Sequence, residues 1–132
     1  KTSIDGQNVK LLSNKGGSMA FEGDNGRNIY FSRQNEVGIW LQAVDSNAPP
    51  TIVSNTISEP FQTWRMKDGI FYYLKRASIP SKKIYAYDPI TAIESVYFES
   101  KTGFNFFDLN GDIVVNTELK EMCADIYLVH FE

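Results

Sequence analysis

An all-β fold made of repeated four-stranded units is predicted by three observations. The first is an internal repeat. Gly26, Gly69 and Gly111 stand 43 and 42 residues apart, each five residues after an aromatic (Phe21, Trp64, Phe106) and each followed by an apolar run. The second is a later marker in each unit, Gly38-Ile39-Trp40, Lys83-Ile84-Tyr85 and Asp125-Ile126-Tyr127, whose isoleucines stand 45 and 42 apart. The third is the alternation of β-branched and aromatic runs with Asp/Asn/Gly/Pro turns, with only residues 117–123 leaning towards a helix. Units of roughly 40–45 residues holding several short strands are the blades of a β-propeller.

Each unit lays out as strands A to D. In the first, A falls near residues 18–21, B at 28–32, C at 39–44 and D at 51–54. Asp24-Asn25-Gly26 turns A into B, because Asn and Asp tolerate positive φ and Gly supplies it. Asp45-Ser46-Asn47-Ala48-Pro49-Pro50 ends strand C. In the second unit A falls near 61–64, B at 69–74, C at 84–87 and D at 94–98, with turns at Lys67-Asp68-Gly69 and Asp88-Pro89. Its B–C loop, residues 75–83, is expected to be long. The third unit has A at 103–107, B at 112–116 and C at 125–131. Residues 2–5 and 9–13 read as strands C and D of a preceding unit, since Ile4-Asp5-Gly6-Gln7-Asn8 matches Val44-Asp45-Ser46-Asn47.

The expected division is therefore 1–15 as the end of a preceding blade, 16–56 and 57–100 as blades, and 101–132 as a last blade without its outer strand. That is a propeller fragment of about three four-stranded antiparallel blades, an incomplete ring, because closure takes at least about four. Open edges and uncovered blade faces predict self-association, as a dimer completing a ring. The alternative architecture is a self-contained β-sandwich.

Bulk properties narrow the function classes. At 132 residues, 42% hydrophobic and 14% aromatic, the chain can bury a core and is not a disordered tail. A net charge of −3 argues against nucleic-acid contact by this segment, which needs a basic stripe. One cysteine, Cys123, excludes an intrachain disulfide, and with one histidine, His130, it cannot make a His/Cys zinc site. No apolar run is long enough to span a bilayer. The start at Lys1, without a Met or a signal-peptide core, leads to the expectation of a piece cut from a larger protein.

The pattern aromatic, Asp/Asn-Gly, then Ile-Tyr-Phe-Ser followed by Ile-Trp, carried by residues 21–32 and 39–40, resembles the TolB-like and dipeptidyl-peptidase-like propeller repeat. The Ser-Pro pair of that repeat is absent from all three units. The order of the units, with Pro49-Pro50-Thr51-Ile52-Val53, Trp64-Arg65-Met66-Lys67-Asp68-Gly69 and the ending Asp125-Ile126-Tyr127-Leu128-Val129-His130-Phe131, resembles the C-terminal propeller of CadC/ToxR-like winged-helix regulators. This resemblance implies a periplasmic sensing or protein-interaction domain of a regulator anchored in the inner membrane. DNA binding would lie in an N-terminal domain outside this chain, and the partner or signal ligand is unspecified. A TolB-like periplasmic scaffold, or the propeller part of a peptidase or other hydrolase, are the alternatives.

Candidate chemistry is sparse, and the expectation is a non-enzyme with no cofactor and no metal. Gly16-Gly17-Ser18 lacks the Gly-Lys-Ser/Thr of a phosphate loop. No Gly-x-Ser-x-Gly elbow occurs. Asp24-Asn25-Gly26 and Asp108-Leu109-Asn110-Gly111-Asp112 lack the ligand spacing of a calcium loop and read as hairpin turns. His130 reads as a satisfied strand histidine and Cys123 as a buried, inert thiol. Phe21, Trp40, Trp64, Tyr72, Tyr85, Phe106 and Tyr127, with the three turn glycines, read as structural blade markers whose rings pack between blades. Lys75, Arg76, Lys82 and Lys83 form a basic cluster on an acidic chain, and a partner or anionic-ligand contact is read onto them.

Overall fold

The computed structural model describes residues 11, 15–23, 26–34, 36–55, 57, 64–75, 81–110, 113–120 and 123–130. Every regular element among them is a β-strand, and none is a helix long and apolar enough to cross a membrane. The first sheet is an antiparallel meander of β1 (Met19–Glu22), β2 (Asn28–Ser32), β3 (Ile39–Ala43) and β4 (Thr51–Ser54), in that spatial order. The second contains β5 (Trp64–Lys67), β6 (Ile70–Tyr73), β7 (Ser81–Asp88), β8 (Ile93–Asn110), β9 (Ile113–Lys120) and β10 (Cys123–His130), each hydrogen-bonded to the next. Neither sheet closes on itself.

Local chemistry explains the hairpins. Lys67 and Ile70 face each other across a two-residue turn, and both turn residues, Asp68 (φ 52°) and Gly69 (φ 79°), have positive φ. That is the backbone a type I′ turn needs to match the twist of its strands. Because the turn is so tight, β5 runs right up to Lys67. Of the strand read near 61–64, Trp64 opens β5, and residues 61–63 lie outside the described residues. In the first sheet the β3–β4 loop is held by buried Gln42, whose Nε2 donates to the carbonyls of Ala43 (3.0 Å), Ser46 (3.3 Å) and Ala48 (3.2 Å). One side chain thus gathers three carbonyls of the loop, of which that of Ala43 also accepts from the Ser46 N–H at 3.2 Å.

Three expectations are corrected. The strands read at 94–98 and 103–107 are one continuous strand, β8, so the chain crosses position 100 without a break. Glu99-Ser100-Lys101-Thr102 holds no Gly or Pro to end a strand. Irregularities in register at Ser81/Lys83 and Ile84/Tyr85 accommodate its length against β7. Residues 93–99 and 104 pair with β7, and residues 104–110 pair with β9 on the opposite edge. Of the helix-leaning stretch 117–123, residues 117–120 lie in β9 and Cys123 opens β10, paired with Lys120, and residues 121–122 lie outside the described residues. Eight successive cross-strand pairs override a weak local preference. The basic loop is shorter than expected, since β7 begins at Ser81, whose hydroxyl donates to the Lys83 carbonyl at 2.8 Å. The strands read at 2–5 and 9–13 lie outside the described residues, except for Leu11.

The main core sits between the two sheets. Ile39, Ile57, Trp64, Phe71, Tyr73 and Tyr87 are buried there, with Met19, Phe21, Tyr30 and Tyr85 packed against them. Phe21 meets Trp64 edge-on at 4.8 Å, and Tyr30 meets Phe71 at 5.4 Å. A smaller cluster of Leu74, Ile84 and Phe107 lies further along the second sheet.

Gly38 (φ 102°) allows the chain to enter β3, and a Cβ there would collide with the Ser54 carbonyl oxygen and press on Ile52. Gly69 has open space around it, so only its φ resists a side chain. Gly38→Ala is expected to cost about 2 kcal/mol or more, and Gly69→Ala about 1 kcal/mol. Urea unfolding of the two variants measures the difference, and equal costs would contradict the packing described at Gly38.

Candidate functional site

The junction between the sheets is organised by Trp64. It is fully buried (0% exposed), meets Phe21 and Phe71 edge-on, and donates Nε1–H to the Ser32 hydroxyl at 3.2 Å. Ser32 in turn shares a hydrogen bond with the Ser18 hydroxyl at 2.9 Å. One ring therefore ties β5 to β2 and to the segment entering β1, and its polar atom is satisfied inside the core.

The neighbouring strands meet in the same manner. Arg65, next to Trp64, donates Nε–H to Asp108 Oδ1 at 2.8 Å and lies over the Phe107 ring at 5.8 Å. Phe21 and Trp64 are 43 positions apart, as are Arg65 and Asp108, and Tyr30 and Phe71 are 41 apart. These contacts join residues 41 to 43 positions apart, close to the spacing of the sequence repeat. They also correct one marker. Phe107 is buried (2% exposed) whereas Phe106 is 52% exposed, so the ring that packs inward, as Trp64 does, is Phe107. Alternation puts only one of two adjacent strand residues on the inner face.

The other markers divide. Phe21 and Tyr85 pack on the main core, and Tyr72 packs on the smaller cluster, edge-on to Tyr97 at 4.7 Å. Trp40 is not between the sheets but lies under the guanidinium of Arg33, 3.9 Å from its ring centroid. Arg33 is 5% exposed, is bonded to Glu36 at 2.8 Å, and crosses the Phe31 ring at 5.6 Å. Gly26 and Gly69 lie where turns were expected, Tyr127 is in β10 opposite Asn116, and Gly111 lies outside the described residues.

The basic cluster is only partly a surface. Lys75 Nζ lies 2.5 Å from Glu94 Oε1 and 4.0 Å over the Tyr85 ring. Lys83 pairs loosely with Glu99 at 3.4 Å, Lys82 is exposed on β7, and Arg76 lies outside the described residues. Glu94 also accepts a hydrogen bond from the Tyr73 hydroxyl. Burial acts to raise the Glu94 pKa, but the hydrogen bonds from Lys75 and Tyr73 outweigh it and hold the carboxyl below its ordinary value. Burial first, and then the Glu94 carboxylate, push the Tyr73 phenol up. No sequence signal foretold this group, since Tyr73 and Lys75 precede Glu94 by 21 and 19 positions and meet it only through strand pairing.

At the end of the sheets marked by the β1–β2, β5–β6 and β7–β8 turns, a cleft of about 320 Å³ opens between them. Gly23, Asn28 and Tyr30 form one wall, Met66 and Gly69 the second, and Pro89 and Ile90 the lip. Asp88 shapes that lip, accepting from the Ile90 N–H and the Thr91 hydroxyl, both at 2.8 Å. The stretch read as a hairpin turn at 108–112 lies partly in β8, and residues 111–112 lie outside the described residues. Asp108 and Asn110 lie in β8, and Asp108 is engaged by Arg65. Among the described residues no three His, Cys, Asp or Glu side chains are grouped to hold a metal ion.

Comparisons with protein-family models, with curated proteins and with solved structures give no match to this chain.

Two stability predictions follow from these side chains. Trp64→Ala is expected to cost about 3–5 kcal/mol, and Trp64→Phe less, through the lost bond to Ser32 and the smaller ring. Since the folded Glu94 pKa lies below its unfolded value near 4.5, its contribution is full above that pH and is lost as pH falls. The raised Tyr73 pKa works in the other direction, its contribution fading as pH climbs above 10. Glu94→Gln should therefore flatten the acid limb of a stability–pH curve measured by denaturant melts, and an unchanged limb would refute the coupling.

Proposed function

We propose that this chain is an arc of a β-propeller serving as a non-catalytic sensing or protein-interaction domain. In the setting its resemblance implies, it is the extracytoplasmic part of a membrane-anchored winged-helix transcriptional regulator. One observation supports the propeller reading above the others. Residues one repeat apart, Phe21 with Trp64 and Arg65 with Asp108, touch each other. In a propeller the inner strands of successive blades lie side by side around an axis, so equivalent positions meet at the repeat length. A sandwich made from the same strands has no reason to bring repeat-equivalent residues together.

The binding role draws on a different feature. The first sheet and β5–β8 both follow a hairpin meander, and their turns crowd at one end around a cleft with no charged side chain among the described residues of its lining. Loop ends on a rigid scaffold are where such folds take up ligands and partners. The regulator setting draws on the sequence pattern alone.

Two experiments test the reading. Sedimentation velocity across a concentration series should show self-association, the dimer first, because β4 and β10 end the strand order of their sheets among the described residues. A strictly monomeric chain at high concentration would count against an open arc. The coding sequence preceding Lys1 in its gene should specify a winged helix and one apolar span. A cleavable signal there would point instead to a scaffold, and a hydrolase domain to a peptidase.

A further inference from the structure

We infer that the cleft between the two sheets is a binding site for a small, uncharged, ring-bearing molecule that carries an amide or similar hydrogen-bonding group. The inference builds on the binding-module reading and names the ligand class that module takes. It does not depend on ring closure or on the regulator setting.

The lining selects the chemistry. Met66, Pro89 and Ile90 supply an apolar slot, and Asn28 and Tyr30 are the lining residues that carry a polar side-chain group. An amide both donates and accepts, and a phenol does the same at neutral pH, so the pair satisfies a neutral amide or hydroxyl group. Among the described residues that line the cleft there is no Asp, Glu, Lys, Arg or His. An ionised ligand would lose its hydration there without gaining a counter-charge. A volume of about 320 Å³ lies at the small end of ligand pockets and suits one ring with a short substituent.

The walls are fixed before any ligand arrives. The β1–β2 wall is closed by Gly23 N–H donating to the Asn28 carbonyl at 2.8 Å, and the Tyr30 ring is held edge-on by Phe71. The β5–β6 wall is the tight turn at Asp68 and Gly69. The lip is locked by Asp88, and Ala92 behind it has φ 56°. Among the described residues only Asp68 and Ala92 are non-glycines with positive φ, and both belong to turns that form this cleft. Turn backbone locked on the walls of one cleft fits a preorganised clamp. The lip itself presents Ile90 at 93% exposure on this rigid turn, an aliphatic cover that a bound ring would desolvate.

The test uses three probes of one shape: benzamide, benzoate and benzamidinium, which are neutral, anionic and cationic at pH 7. Each is titrated into the isotopically labelled 132-residue chain and followed by NMR. Benzamide should shift the amides of Gly23, Asn28, Gly69 and Ile90 saturably, with a dissociation constant of about 1 mM, and the two ions should bind about tenfold more weakly. Ile90→Ala, on an exposed turn, should weaken benzamide severalfold. Tyr30→Phe, which keeps the ring against Phe71, should do the same through the lost hydroxyl. Val37→Ala, exposed at the opposite end of the first sheet, should change nothing. Absence of saturable shifts at about 20 mM benzamide overturns the assignment, as does equal binding of all three probes or indifference to both cleft variants. A negative titration leaves the sedimentation result untouched, so the two proposals fail separately.

Discussion

Everything in this molecule depends on how two twisted sheets are held face to face, and that is done by an edge-to-face chain of rings, Phe21 on Trp64, Trp64 on Phe71 and Tyr30 on Phe71. Edge-to-face geometry places the positive rim of one ring on the negative face of the next, which adds direction to burial. A purely aliphatic interface would bury comparable area but leave the sheets freer to slide. The hydrogen bond from Trp64 to Ser32 adds a second directional constraint, because a buried indole N–H left unpaired would be costly.

From that anchor the polar interactions fall into order. Arg65 is adjacent to Trp64 in a strand, so its side chain turns away from the ring stack and reaches Asp108 in β8. Tyr73, at the other end of the hairpin, is buried in the same core, and its hydroxyl must find an acceptor, which Glu94 provides. Glu94 is then stabilised as a carboxylate by Lys75, whose stem and ammonium rest on Tyr85. A cation first noticed in the sequence as a surface charge is thereby drawn into the support of a buried phenol. Arg33 over Trp40 is a similar case, a guanidinium lying flat on an indole with one carboxylate partner.

The functional reading rests on what such a scaffold leaves over. Once the strands and their core are accounted for, the three turns at one end remain. Asp68-Gly69 and the Asp88–Ala92 turn each carry a positive-φ non-glycine residue, and both border a cleft with a neutral lining. Preorganisation of this kind reduces the entropy lost on binding, which is the physical advantage of placing a recognition surface on short, locked turns.

Much of the fold was legible in the sequence because strands and tight turns are local. β2 and β4 lie at the positions read from their β-branched and aromatic runs, and Lys67-Asp68-Gly69 turns where Asp-Gly should turn. Turn chemistry and alternation act over two to five residues, so they survive inspection of a single chain. The repeat too was legible, since it is a property of spacing. What only the tertiary structure decided is which of two adjacent residues faces inward, as with Phe107 over Phe106, and whether a strand stops, as β8 does not. It also decided which distant side chains meet. Tyr73, Lys75 and Glu94, or the cleft walls from Gly23 to Ile90, are brought together by strand register and sheet packing. These depend on pairings across tens of residues, about which local sequence carries no instruction.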